Sequence, residues 1–270
     1  RLLCLNLLSY VVNPYTEEAK FDLKLFFEHS KIAARMMDDI VDLEEECINR
    51  ILEKIDSDPD PEDIKSRERS IWTRILESCV SGRRCGLGIT ALGDTLAALG
   101  LDYGSDESID QAEEIYKALK LGSYTASVEM AEELGPFDGW DYEKEKSCPF
   151  LKRFKKDTLA YEGEVLVKGK ELYERMKVSG RRNIAMLTIA PTGSVSTMTR
   201  TTSGVEPAYL LDYTRRKKGN PGDSNFRVDF VDSSGDSWME FKVYHPQVEE
   251  WMRITGETDV TKSPWYGYCA

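Results

Sequence analysis

The sequence is short of the residues that build metal sites, membrane spans and nucleic-acid surfaces. Its two histidines, His29 and His245, stand alone, and its six cysteines (Cys4, Cys47, Cys79, Cys85, Cys148 and Cys269) lie far apart with no CxxC pair among them. A structural zinc site needs such ligands at close spacing, so no bound metal is expected, and in a reducing compartment the cysteines read as free thiols. No run of about 18 apolar residues occurs and no N-terminal leader pattern is present, which points to a soluble cytoplasmic protein without membrane contact. Positive charge is scarce: 36 Lys and Arg against 48 Asp and Glu leave a formal charge of -12. Nucleic-acid binders need clustered cations to displace counterions, so no nucleic-acid partner is expected; a local site for a small phosphorylated molecule is not excluded.

What is present is a chain of 270 residues, 41% hydrophobic, long enough for a real core. It opens on Arg1 without an initiator Met, and the apolar run behind it, ending at Asn13-Pro14, reads as a buried segment; the chain is therefore expected to be a fragment. From Thr16, taken as an N-cap with Glu17 and Glu18 in the first turn, apolar residues at Phe21, Leu25, Phe26, Ile32, Ala33, Met36, Met37, Ile40 and Val41 predict a long amphipathic helix. The acidic group Asp38, Asp39, Asp42, Glu44, Glu45 and Glu46 reads as its solvated face. A second helix is expected over Ile64 to Val80, then a short strand and a small-residue helix within Gly82 to Gly100. Gly86 and Gly88 invite a dinucleotide reading, but Ala91 stands where the third glycine belongs, so close helix packing is the better account. A long helix is predicted over Asp106 to Leu134, irregular chain with short helical pieces over Phe137 to Tyr161 and helix over Glu162 to Val178. Strands are predicted at Tyr209 to Arg216, Phe226 to Asp232 and Phe241 to Tyr244, with a last helix from Pro246 through Arg253. The basic cluster Arg215 to Lys218 reads as a solvated loop beside Gly219-Asn-Pro-Gly222, and Trp238, Trp251 and Trp265 as core or loop anchors. Long helices alternating with short apolar strands give an α/β class with a mostly buried sheet.

The stretch that carries chemistry is Asn183 to Thr197 with its sequel Thr201 to Pro207. Ile184 to Ala190 reads as a buried strand that stops at Pro191, and Thr192, Gly193 and Ser194 form a turn into a helix beginning near Val195. Free amides at a helix start and the hydroxyls of Thr192, Ser194 and Ser196 suit an anion, with phosphate the natural guest. The same residues also read as an ordinary turn and N-cap. No nucleophile with a partnering base is found.

Several spaced segments resemble the catalytic subunit of ribonucleotide reductases. They are Ala190-Pro-Thr-Gly-Ser-Val-Ser196, Ser203-Gly-Val-Glu-Pro-Ala-Tyr209 and Asp212-Tyr-Thr-Arg-Arg-Lys217, with Asn6-Leu7, Gly82 to Ile89, Leu92-Gly-Asp94, Val228 to Val231, Trp238 to His245 and Ser263 to Gly267 in the same order. The Thr-Gly turn and the Tyr-Thr-Arg-Arg continuation look most like the class II branch, which depends on adenosylcobalamin. The resemblance implies that residues 1–270 form the central-to-late part of a ten-stranded α/β barrel. It also implies that Pro191, Thr192, Gly193, Ser194, Val195 and Ser196 bind the phosphates of a ribonucleotide substrate, with Leu2 near the nucleotide. On this register one member of the redox cysteine pair falls immediately before Arg1, the radical cysteine with its Asn and Glu also lies upstream, the first redox cysteine and the allosteric region further upstream still, and the terminal reducing cysteines lie beyond Ala270. No catalytic residue is therefore expected in the chain, Cys4 reads as a core thiol, and the segment needs the rest of the parent polypeptide. The implied chemistry is radical: a thiyl takes the 3′ hydrogen, the 2′ hydroxyl leaves as water, and two cysteines, recharged by a thioredoxin-like or dithiol reductant, supply electrons. Two alternatives are a class I catalytic subunit served by a separate radical-generating protein, and a non-catalytic nucleotide-phosphate binding module.

Overall fold

The computed structural model describes residues 1–219 and 225–266; Cys269, Gly267 and residues 220–222 of the expected loop lie outside the described residues. The chain begins with β1 (Leu2–Asn6), a 3₁₀ turn (Leu7–Tyr10) and the short strands β2 (Val11–Val12) and β3 (Lys20–Phe21), which pair antiparallel. Helix α1 (Leu23–Ser57) starts later than the sequence suggested. Thr16 instead opens a turn closed by the Ala19 amide at 3.1 Å, and Asp22 is the cap, accepting from Leu25 N at 2.9 Å. The reason is aromatic: Phe21 packs against Tyr10 and Phe26, with ring centroids 5.9 and 5.4 Å apart, and the extended backbone that allows this cannot yet be helical.

Helix α2 (Glu62–Gly82) ends at Arg83, whose left-handed φ of 44° turns the chain into β4 (Gly86–Thr90). β4 runs parallel to β1, in register from Leu2–Gly86 to Asn6–Thr90, and all five of its residues are buried. Along its other edge lies residues 184–190. Cys85 N donates to Ala185 O at 2.8 Å, Leu87 N to Met186 O at 2.7 Å and Thr188 N to Leu87 O at 3.0 Å, with an isolated parallel bridge between Leu87 and Leu187. The glycines of β4 follow from this crowding. A Cβ on Gly88 would sit 2.5 Å from Thr188 O, and one on Gly86 would sit 2.7 Å from a Leu2 methyl. Close packing is thus the right account of these glycines, but against a neighbouring extended chain and not a helix.

Helix α3 (Leu92–Ala98) is wholly buried and α4 (Asp106–Leu134) crosses α1, where a Cβ on Gly122 would lie 2.8 Å from Phe27 O. This helix–helix contact and the parallel strands enclose the main core of Phe26, Ile115, Leu119, Leu121, Phe154 and Leu159. Each such fully buried side chain contributes about 1.5–3 kcal/mol. Short helices α5 (Tyr142–Glu145) and α6 (Pro149–Phe154) lead to a hairpin of β5 (Thr158–Tyr161) and β6 (Glu164–Lys168), where irregular chain and then helix were expected. Its two-residue turn, Glu162 at φ 48° and Gly163 at φ 85°, has the double positive φ that matches strand twist. Helix α7 (Gly169–Ser179) begins only after it, at a glycine whose Cβ would fall 2.1 Å from Phe154 O.

After α8 (Gly193–Thr199) the chain forms β7 (Asp212–Lys218), β8 (Phe230–Val231) and β9 (Ser237–Tyr244), an antiparallel sheet in the order β7–β9–β8, and then α9 (Pro246–Thr255). The cluster Arg215 to Lys218 lies on β7 and not in a loop, paired along β9, where Glu240 lies 2.8 Å from Arg216 and Asp236, just before β9, lies 2.5 Å from Lys218. The class is α/β as read, but among the described residues the parallel pairing is confined to β1, β4 and the 184–190 edge, only β4 is buried throughout, and the barrel is not closed. Residues 184–190 are correspondingly only part-buried: Met186 is inside, whereas Ile189 is 68% exposed.

Candidate functional site

The predicted phosphate turn stands at the mouth of the parallel pair. Leu2, Leu3 and Cys4 of β1 face residues 190–195 across a cleft of about 410 Å³. Leu2, 70% exposed, and Pro191, Thr192, Gly193, Ser194 and Val195 are thus brought together as the sequence suggested. Ser196 is not in the lining: it is buried, and its hydroxyl donates to Gly193 O at 2.8 Å. Cys4, expected as a core thiol, is half-buried and lines the cleft, and burial pushes its thiol pKa upward, so it stays protonated near neutrality.

Thr192 sets the turn. It lies in the left-handed region at φ 49° and immediately precedes α8, yet its side chain makes no cap onto the helix. Its hydroxyl instead accepts from Gly204 N at 2.8 Å and donates to Thr90 Oγ1 at 3.0 Å, tying the turn to the end of β4 and to the Thr201–Pro207 sequel. The first-turn amides of α8, which no helix can satisfy internally, are left at the cleft. A Cβ built on Gly193 meets no protein atom within 4 Å. Neither packing nor, in ordinary helical backbone, conformation requires a glycine there.

At the far end of the 184–190 chain from the turn, Asp38 corrects the reading of a solvated acidic face. It is 1% exposed, and its carboxylate accepts from Arg83 Nε at 2.8 Å, Asn183 Nδ2 at 2.8 Å and Arg182 Nε at 3.2 Å. Burial would lower the Arg83 pKa, but hydrogen bonds to Asp38 and Asp42 outweigh it and hold the guanidinium above its ordinary value. This network fixes the start of the 184–190 chain that leads into the turn. Periodicity could not find it, since Asp38 sits among five other acids on one helix.

The histidines are both engaged. His29 Nδ1 meets Tyr10 Oη at 3.0 Å, and His245 Nε2 meets Asp94 Oδ1 at 2.9 Å. Among the described residues no group of three or more metal-ligating side chains converges, and no helix is long and apolar enough to cross a membrane. Trp251 and Trp265 are buried anchors, as read, and Trp238 donates to Asp232 at 2.8 Å.

A model of the ribonucleotide reductase barrel domain matches residues 2–252. The chain belongs to the ribonucleotide reductase barrel family. Similar proteins include the vitamin B12-dependent ribonucleoside-diphosphate reductase of Mycobacterium tuberculosis (strain ATCC 25618 / H37Rv), 26% identical over 211 residues, which are 78% of this chain and 22% of that protein. The ribonucleoside-diphosphate reductase subunit alpha of Treponema pallidum (strain Nichols) is 32% identical over 143 residues, 51% of this chain and 15% of that protein. The ribonucleoside-diphosphate reductase large subunit of vaccinia virus (strain Copenhagen) is 24% identical over 211 residues, 78% of this chain and 24% of its own length. The chain thus spans less than a quarter of each of these relatives. β1, β4 and the 184–190 chain all fall within the matched residues, and the turn at 191–195 follows the carboxyl end of that chain.

Proposed function

We propose that this chain supplies the substrate-phosphate loop of a ribonucleotide reductase that converts ribonucleotides to 2′-deoxyribonucleotides. The observation that carries the reading is the cleft between Leu2–Cys4 and Ala190–Val195 in a chain of the reductase barrel family. Amides of the first turn of α8 and the Ser194 hydroxyl are donors suited to phosphate oxygens, and Gly193 leaves room for the backbone to approach them. Leu2, on the facing wall of the cleft, is the residue near the bound nucleotide. The role of these residues is positional: a phosphate held at one end fixes the ribose, and orientation of this kind lowers the barrier of a step whose reacting groups come from elsewhere in the polypeptide. Cys4, a protonated thiol on the cleft wall, takes no redox role.

The cofactor of the complete enzyme is proposed to be adenosylcobalamin, by analogy with relatives whose names carry vitamin B12. It would supply the initiating radical. Neither histidine of this chain is offered to a corrin, since His29 is committed to Tyr10 and His245 to Asp94. A second reading, a class I subunit with a separate radical-generating partner, is favoured by the vaccinia relative, whose name lacks B12. The proposed reductant is a thioredoxin-like protein or a small dithiol, and the proposed location is the cytoplasm. The test is deoxyribonucleotide formation by the complete polypeptide from a ribonucleoside diphosphate and dithiothreitol. Turnover that requires adenosylcobalamin supports the first reading; turnover that ignores it and requires a second subunit supports the class I reading; no turnover under either regime refutes both.

A further inference from the structure

We propose that Asp94, clamped by His245 and Trp265, is a positioning residue that holds the phosphate turn through a relay of hydroxyl groups; the inference rests on the phosphate-loop reading above. Asp94 lies at the start of α3 and is 0% exposed. Its Oδ1 accepts from Trp265 Nε1 at 2.9 Å and faces His245 Nε2 at 2.9 Å, and its Oδ2 accepts from Thr202 N at 2.7 Å. Asp94 N reaches back to Thr202 Oγ1 at 3.3 Å. A carboxylate offers only acceptors, and here every neighbour offers a donor.

The relay runs from Thr202 to the turn. Thr202 O accepts from Thr90 Oγ1 at 3.2 Å and from Ala91 N at 3.2 Å. Thr90 Oγ1 accepts from Thr192 Oγ1 at 3.0 Å, and Thr192 Oγ1 accepts from Gly204 N at 2.8 Å. The Thr192 and Thr90 hydroxyls each donate once and accept once, so the direction of their bonds is fixed: Gly204 N to Thr192, Thr192 to Thr90 and Thr90 to the Thr202 carbonyl, while the Thr202 backbone amide donates to Asp94. The bond to Thr90 also explains why Thr192 leaves the first turn of α8 uncapped. With its hydroxyl turned inward, the side chain does not compete for the amides that face the cleft. The clamp draws on three distant stretches, around Asp94, around Thr202 and at His245 with Trp265, and a Cβ on Gly93 would lie 2.7 Å from Glu206 O, so α3 and the sequel of the turn are pressed together at this point.

Thr192 is the one relay member that lines the cleft, and none of the relay is a reacting group, so loss of the links behind Thr192 should weaken phosphate binding and spare the chemical step. The experiment measures steady-state kinetics of the complete polypeptide with CDP, together with the thermal midpoint of each variant. T90V keeps the shape of Thr90 and removes the link; it is expected to raise KM about 5–10-fold with the loss falling on KM rather than kcat, and T90S to recover most of it. H245L removes the donor to Asp94 and is expected to raise KM similarly, whereas H245Q, which returns an amide donor near the Nε2 position, is expected to stay close to wild type. Should T90V fail to fold, the H245L and H245Q pair decides. Wild-type KM in H245L, or T90V and T90S variants that lose thermal stability alike without a change in KM, would overturn the inference. G193V separates the two readings: weakened CDP binding in G193V with silent T90V and H245L refutes the relay and leaves the phosphate loop standing, and a silent G193V refutes the phosphate loop itself.

Discussion

Replacing Asp38 with alanine should be among the most damaging single changes to the fold. The substitution removes the acceptor for Arg83, whose side chain is 4% exposed, and for Arg182 and Asn183, leaving buried donors without partners. Breaking one member of a buried ion pair costs about 3–5 kcal/mol, because the remaining charge stays desolvated. Asp42 still meets Arg83 at 2.7 Å but is half exposed, so the lower part of that range is expected. For a domain of this size, 3 kcal/mol corresponds to about 6–12 °C in thermal midpoint. The assay is thermal and urea unfolding followed by circular dichroism. The double variant D38A/R83M supplies the internal check: with the uncompensated guanidinium gone, it should be more stable than D38A alone. Methionine adds no backbone strain that arginine does not already bear at φ 44°. A D38A midpoint within about 1 °C of wild type, or a double variant no better than the single one, would refute the reasoning.

Gly88→Ala should destabilise by about 1–3 kcal/mol, since its Cβ would meet a backbone carbonyl at 2.5 Å that cannot move aside, while Gly193→Ala should change stability by no more than about 0.5 kcal/mol; urea midpoints of the two variants give the comparison. Burial, and secondarily the charge of Asp38, pushes the Cys85 thiol up from 9.0 to about 11. At pH 8.5 it should therefore react with iodoacetamide far more slowly than the exposed Cys47, and mass spectrometry of tryptic peptides reads the ratio. The same shift has a stability sign. A thiol that holds its proton more tightly when folded stabilises fully below pH 9.0, and that contribution is lost as the pH rises through about 11. C85A should flatten the fall in unfolding midpoint across that window.

The helices were legible because their signals are local. Apolar spacing and the Gly135 stop located α4, and Pro246 located the start of α9. What escaped the sequence depended on partners distant in the chain. Thr16 and Asp22 are both acceptable caps in isolation, and only the packing of Phe21 on Tyr10 selects Asp22. The β5–β6 hairpin was hidden because Glu162-Gly163 is a weaker turn signal than Asn-Gly, and the helical pattern behind it was extended through it. At the site, the turn residues and Leu2 were legible through several spaced motifs, but the fate of each hydroxyl was not. Whether Thr192, Ser194 or Ser196 faces the cleft is set by Thr90 and Gly204 on one side and by the Gly193 carbonyl on the other, across sequence separations that no spacing rule encodes. Asp38 and Asp94 were equally opaque, one read as surface and the other only as part of a matching motif, because burial of a carboxylate is decided by donors that arrive from elsewhere in the chain.

The central claim is that the turn at 191–195 reads phosphate. The most direct measurement compares the affinities of the complete polypeptide for CDP and for cytidine, in wild type and in G193V. The account predicts that wild type prefers CDP, that G193V loses most of that preference, and that its affinity for cytidine is unchanged. An undiminished preference for CDP in a folded G193V protein would contradict it.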